Sequence, residues 1–483
     1  MKIAPVTLLW LSFLVLAGVA VIFAIRKLSP SEGGFKDVVK NPEYWQKVSR
    51  ANAEVADAAQ ESKKWSDQKV ASVVKDFILE QKLSRDAWGE AQILRKLGER
   101  TQPTILELLG DPSLYGRLVK PTGVDLLPEA PFNRACDLLG DSPPEKAVAV
   151  LAPFLNDPSD GIRKDAALAI AKTGAPSIVP LVKKALLDQD DYVRAYALMG
   201  LEFALNRDGL VASARQELFP PVLALLREGK NADKATDILF RLNNEKAKDY
   251  FLSNEAFIVD SPILHECLKT LANANVPVPR DRLLGLIKSL ESKKMEYPRT
   301  YALSGALRLL GQQMNPEDRE FLRVATSSSE PEVARGAADG LLSSFGLQGF
   351  QQKLSETERQ SGFEALTQQQ KFYSAVNECD NEINNGGFAQ YFVNSSGDRW
   401  PEAVAGFEAM GMGGRFAILK KAAALFGQNG PSTNREIRQD QLAKLYRKKD
   451  SAFDALDSQY YDSQEIVEVW SCRYVLEHPE GFR

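Results

Sequence analysis

Asp160-Gly-Ile-Arg-Lys-Asp-Ala-Ala-Leu168 and Asp191-Tyr-Val-Arg-Ala-Tyr-Ala-Leu-Met199 decide the fold. An Asp, a β-branched residue, an Arg and an Ala three places after the Arg recur at an offset of 31 residues. Each position has a physical reason. Asp160 and Asp191 stand where a carboxylate can satisfy free amides at a helix start, and Ile162 and Val193 begin the buried face. Ala166 and Ala197 are small enough to let neighbouring helices approach closely. Leu155-Asn-Asp-Pro158 and Leu186-Leu-Asp188 close the preceding segments, so the unit is helix, turn, helix.

Working outward, weaker echoes occur at Gln102–Asp111, at Pro220–Leu226 and, with one residue inserted, from Glu332-Val333 through Leu341. Between Asn231 and Pro298 only a helical periodicity persists. This pattern resembles HEAT-type repeats, which implies an α-solenoid over 85–350 whose helix pairs share a core and present an extended surface. An irregular helical bundle is the alternative. The expected fold class is all-α.

Ahead of the repeats, Ile3 to Ile25 carries no charged residue, and Val6 to Ile25 is long enough to cover a ~30 Å hydrocarbon core as a helix. Residues 1–28 are expected to be a transmembrane anchor. Arg26, Lys27, Lys36 and Lys40 after it favour a cytoplasmic body on a single-pass inner-membrane protein. Residues 29–84 then read as a linker and stalk helix, with Asn41 as cap, Pro42 at the first helical position, and Val70, Val74 and Phe77 on an apolar stripe.

Beyond the polar stretch from Gln351 to Gly362 the composition shifts. A helix is expected from about Thr367 to Ile383, ended by Asn385-Gly386-Gly387. Phe388, Gln390, Tyr391 and Phe392 open a second helix with an aromatic face, closed by Asn394 and Gly397. With Glu382 before it, Ala405-Gly-Phe-Glu-Ala-Met-Gly411 after it and Tyr474 to Phe482 at the end, this stretch resembles a bacterial family first described as DNA-mimic proteins. The resemblance runs from Glu364 to Phe482, within an expected separate helical domain at 360–483. It implies an all-helical fold, dimerisation, and surface carboxylates that stand in for DNA phosphates before a basic DNA-binding protein. The candidate carboxylates are Asp450, Asp454, Asp457, Asp462, Glu465 and Glu468, the first three on one helical face and the last two on another. Lys420, Lys421, Arg435, Arg438, Lys444, Arg447, Lys448 and Lys449 form a basic block at odds with a uniformly acidic mimic.

The remaining composition narrows function. Lys and Arg number 60 against 64 Asp and Glu, for a net charge of -4, so no general basic field gathers nucleic acid. Cys136, Cys267, Cys379 and Cys472 are far apart, as are His265 and His478, which leaves no zinc spacing and no expected cofactor. No phosphate-binding loop, HExxH or GxSxG motif occurs, and Gly411-Met-Gly-Gly414 lacks a preceding strand. The expectation is a non-enzymatic, membrane-anchored scaffold for a protein partner, a basic DNA-binding protein among the candidates. The alternatives are strict DNA mimicry and, because some HEAT-like proteins act as lyases, a solenoid enzyme.

Overall fold

The computed structural model describes residues 57–79, 87–111, 130–448 and 451–483, which among themselves form helices, turns and loops with no strand. They fall into two compact units, one ending at Thr270 and one running from Leu271 to Arg483. The expected anchor at 1–28 and most of the stalk lie outside the described residues. The single-pass inner-membrane placement is corrected on this point: no helix among the described residues is long and apolar enough to cross a membrane.

The first unit contains α1 (Asp67–Leu79), α2 (Ala87–Leu97), α3 (Gln102–Leu109), α4 (Ala130–Leu138), α5 (Ala147–Leu151), α6 (Asp160–Thr173), α7 (Val179–Leu186), α8 (Asp191–Asn206), α9 (Ala212–Arg227), α10 (Ala232–Leu242) and α11 (Asn244–Phe251). The stripe residues Val70, Val74 and Phe77 of α1 are buried, and Arg134 donates to the Phe77 carbonyl at 3.2 Å, so α1 is packed onto the repeats. The helix starts fall one residue earlier than expected. Ser159 caps α6 by accepting from the Ile162 amide, and Asp190 caps α8 by accepting from Tyr192 and Val193. Asp160 and Asp191 occupy the first turn, where they still complement the positive helix end.

Helices α6 and α8 pack side by side, burying Ala166, Ala167, Ile170, Val193, Ala197, Leu198 and Leu201. Each large aliphatic side chain so buried contributes about 1.5–3 kcal/mol. The closest approach is at Gly200, where a Cβ would stand 2.6 Å from both the Ala171 methyl and the Leu168 carbonyl oxygen.

The arginine of each repeat is buried. Arg163 donates to both Asp188 carboxylate oxygens at 2.8 and 3.0 Å and to the Asp157 and Pro158 carbonyls. Arg194 donates to the Asp188 carbonyl at 2.5 Å and to Asn231 Oδ1 at 3.2 Å, and pairs with Asp191. Each arginine therefore fastens its own turn and the polar side chain at the next one. Burial alone would push the Asp188 carboxyl up, but its bonds from Arg163 and the Asp190 amide outweigh that and hold it below the ordinary carboxylate range.

The second unit contains α13 (Arg280–Glu291), α14 (Arg299–Gln312), α15 (Arg319–Ala325), α16 (Pro331–Ser344), α17 (Phe350–Ser361), α18 (Gln368–Val393), α19 (Trp400–Ala409), α20 (Gly413–Ala424), α21 (Arg435–Lys448), α22 (Asp454–Tyr461) and α23 (Val467–Glu477), while α12 is Leu264–Asn273. A further repeat copy appears here. Glu296-Tyr-Pro-Arg-Thr-Tyr-Ala-Leu-Ser-Gly305 matches Asp191-Tyr-Val-Arg-Ala-Tyr-Ala-Leu-Met-Gly200 at six of ten positions. Arg299 donates to the Lys294 carbonyl and to Glu296, much as Arg194 serves its own turn. Helices α14 and α16 touch through backbone: a Cβ on Gly311 would run into the Gly340 carbonyl, and one on Gly336 into Ser304.

The C-terminal domain, α18 to α23, packs against these repeats. Arg335 of α16 meets Glu468 of α23 at 3.0 Å, and Cys472 of α23 lies 3.4 Å from the Ala338 carbonyl. Phe350 of α17 makes edge contacts with Tyr373 and Phe482. The last repeats and the domain expected to be separate from them therefore share one unit.

Candidate functional site

Two sets of residues were candidates: the glycine-aromatic motif and the acidic face. Both lie in the C-terminal domain. Thr367 and Gln370 form a reciprocal capping box at the start of α18. The helix is interrupted where the sequence predicts, at Gly386 and Gly387, and Gly387 has φ 73° and ψ -175°, a conformation open in practice only to glycine. Asp457 fills the space beside it: its Oδ1 accepts from the Phe388 amide at 2.8 Å, and a Cβ on Gly387 would lie 2.7 Å from Oδ2.

Around this break the motif side chains face two ways. Phe388, Tyr391 and Phe392 are fully buried, and the rings of Phe426, Phe453 and Tyr460 gather about Phe388 and Phe392. Gln390 and Asn394 instead turn to Glu382, whose Oε2 accepts from them at 2.7 and 2.9 Å. Asn385 is exposed at the break. Gly397 makes room for a guanidinium, since a Cβ there would meet Arg438 Nε at 2.9 Å. The motif is chiefly core and turn geometry.

Each acidic residue has its own place. Asp450 lies outside the described residues. Asp454 is exposed at the start of α22, and Asp462 is exposed at its end. Asp457 is the cap just described. Glu465 lies in the extended link before α23, so it shares no helical face with Glu468. Its carboxylate accepts from the Gly414 and Arg415 amides at 2.9 and 2.8 Å and caps α20. Glu468 is paired with Arg335. Of the five described carboxylates, three hold the fold together.

Sequence reasoning missed two buried arginines. Arg438, counted in the basic block, has no exposed surface; it donates to the Phe392, Asn394 and Ser432 carbonyls and to Asp398. Arg415 bonds to Asp380 at 2.8 Å and lies over the Tyr460 ring, whose hydroxyl also reaches Asp380. Burial raises the Asp380 carboxyl against the pull of Arg415. Little local marks these arginines: apart from the Ser432 carbonyl, six residues from Arg438, the groups they bond to lie 35 to 50 residues away. In contrast, Lys420, Lys421, Lys444, Arg447 and Lys448 are exposed.

The geometry defines a class: stacked two-helix repeats joined to an all-helical terminal domain. Residues 364–478 match the family model described as DMP19-like protein, and residues 133–202 match the model described as HEAT repeats. No curated protein matches the chain. Among solved structures, Kap121p aligns at 11% identity and a TM-score of 0.35, covering 88% of this chain and 48% of that one. The chain thus spans about half of that protein's length, and so loose a superposition carries no argument.

Proposed function

We propose that this protein is a helical-repeat scaffold that binds a protein partner through its repeat surface and C-terminal domain, without catalysing a reaction. One observation supports it most. The three most exposed large apolar side chains among the described residues, Leu187 (82%), Tyr297 (71%) and Tyr192 (68%), all stand at repeat turns. Exposed apolar groups on an otherwise polar edge favour contact with another macromolecule. Strict DNA mimicry draws on less, since Asp457, Glu465 and Glu468 are engaged within the chain. Self-association through the C-terminal domain, an expectation drawn from the family resemblance, belongs to the same proposal.

The test is affinity capture with the full-length chain beside a Leu187→Asp, Tyr192→Asp variant. One protein retained by the parent and lost by the variant supports the scaffold reading. Equal retention by both moves binding away from the repeat turns, and retention of no protein by either rejects the reading. Mass in solution, from light scattering, decides between monomer and dimer.

A further inference from the structure

Helix α17 links the last repeat to the C-terminal domain, and a glycine in the left-handed region bounds it at each end, Gly349 with φ 79° and Gly362 with φ 82°. Beyond their chain neighbours, no atom lies within 4 Å of where a Cβ would stand on either glycine, so both junctions turn in open space. Apolar contacts anchor the first half of the helix: Leu354 is buried, and the Phe350 ring meets Tyr373 and Phe482. The second half has no such anchor. From Ser355 to Gly362 every residue except Glu358 is exposed, and Thr357, Arg359 and Gln360 make their side-chain contacts within the helix itself.

Glu358 ties that half down. Its Oε2 accepts from Ser374 Oγ of α18 at 3.0 Å, and its Oε1 meets Arg399 Nη1 at 2.5 Å. The same Nη1 reaches both carboxylate oxygens of Glu378 at 3.1 and 3.0 Å, while the Phe363 ring lies against the guanidinium at 4.0 Å. Two carboxylates, one from α17 and one from α18, therefore share one guanidinium nitrogen. Glu382, a turn further along α18, adds a third negative charge to the surroundings of Glu378. The charges that other elements bring to α18 are bonded elsewhere: Lys371 to Glu364, Arg415 to Asp380, Arg438 to Asp398 and Asp457 to the Phe388 amide.

We propose that α17 is a proton-controlled strap, whose C-terminal half is closed on α18 while Glu378 is protonated and lifts about its glycine junction once Glu378 is ionised. A neutral Glu378 leaves Arg399 to Glu358. An ionised one draws the guanidinium to itself and repels Glu358, and lifting the strap lets water reach both carboxylates. Burial pushes Glu378 up to about 7, against Arg399 and together with Glu358, so the closed form binds the proton more tightly than the open one. Closure is accordingly favoured at low pH and weakens as pH rises through about 7. Opening uncovers Ser374, which is buried in the closed form. The device stands apart from the scaffold reading and from any partner.

The experiment is hydrogen exchange by mass spectrometry on the full-length chain between pH 6 and 8, with labelling times scaled for the intrinsic exchange rate. Protection of peptides covering 354–362 should fall roughly 3- to 10-fold across that range, centred near pH 7, while peptides from α14 keep theirs. Glu378→Gln removes the titrating group and should hold α17 equally protected at both ends of the range. Glu358→Gln removes the repulsion instead and should flatten the response as well, which keeps the test open if the first variant fails to fold. Constant protection of 354–362 in the parent overturns the proposal. So does a fall shared equally by α14, or a fall in a folded Gln variant as large as the parent's.

Discussion

Arg335 and Glu468 are 133 residues apart in the chain, yet their side chains meet at 3.0 Å, joining α16 of the last repeat to α23 of the C-terminal domain. Arg163 and Arg194 reach forward to Asp188 and Asn231 at the following repeat turn. Arg335 makes the comparable reach into a domain of another kind, which takes the position of a further repeat.

That pair is partly exposed on both sides, so its energy is modest. A double-mutant cycle on Arg335→Ala and Glu468→Ala should return a coupling of about 0.5–1 kcal/mol in urea unfolding. A coupling of zero would leave the attachment to other contacts, among them Cys472, the Phe350 rings and the bonds of Glu358 to Ser374 and Arg399.

Gly387→Ala should be far more costly. It places a side chain at φ 73° and drives its Cβ against the Asp457 carboxylate, for a loss of about 2–4 kcal/mol. Asp457→Ala, which uncaps Phe388, should cost about 1–2 kcal/mol. Chemical denaturation of the two variants checks the order; near-equal losses would mean that the break tolerates a side chain.

Two helix glycines should respond in opposite directions. Gly311→Ala collides with the Gly340 backbone and should cost about 3 kcal/mol or more. Gly285, inside α13, has open space where a Cβ would go, so Gly285→Ala should stabilise by about 0.5–1 kcal/mol. Thermal melts of both variants provide the comparison.

The pH dependence should carry inverted carboxylates, Glu378 among them. Burial pushes Glu378 up to about 7 from 4.5, with Arg399 opposing and Glu358 reinforcing the shift. A carboxyl raised in the folded state binds its proton more tightly there. Its contribution is therefore fully present below pH 4.5 and is lost as pH rises through about 7. The side chain is 40% exposed, so solvent screening reduces the effect to about 1 kcal/mol. Glu378→Gln should flatten the stability profile between those pH values; an unchanged slope would assign it to other groups.

The repeats at Asp160 and Asp191 were legible because residues with distinct jobs, the buried arginine and the small alanine, recur in order. The copy at Glu296 was harder to see. Pro298 stands where Val193 does, and the copy lies 105 residues on, well beyond one repeat length. The Gly386-Gly387 break could also be read, since two adjacent glycines end a helix by local backbone freedom alone. What each carboxylate does was not legible. Asp457 and Glu465 find their amide partners 69 and 50 or more residues away, and charge pattern carries no record of such distances. The same limit hid Arg438, which was grouped with surface lysines although three carbonyls and Asp398 enclose it.

The backbone contact of Gly311 with Gly340 has a mechanical consequence. Helix pairs separated by a layer of side chains can slide or bend as rotamers rearrange, but α14 and α16 have no such cushion at their crossing. That joint should act as a stiff vertebra, passing strain along the column to more compliant neighbours instead of absorbing it.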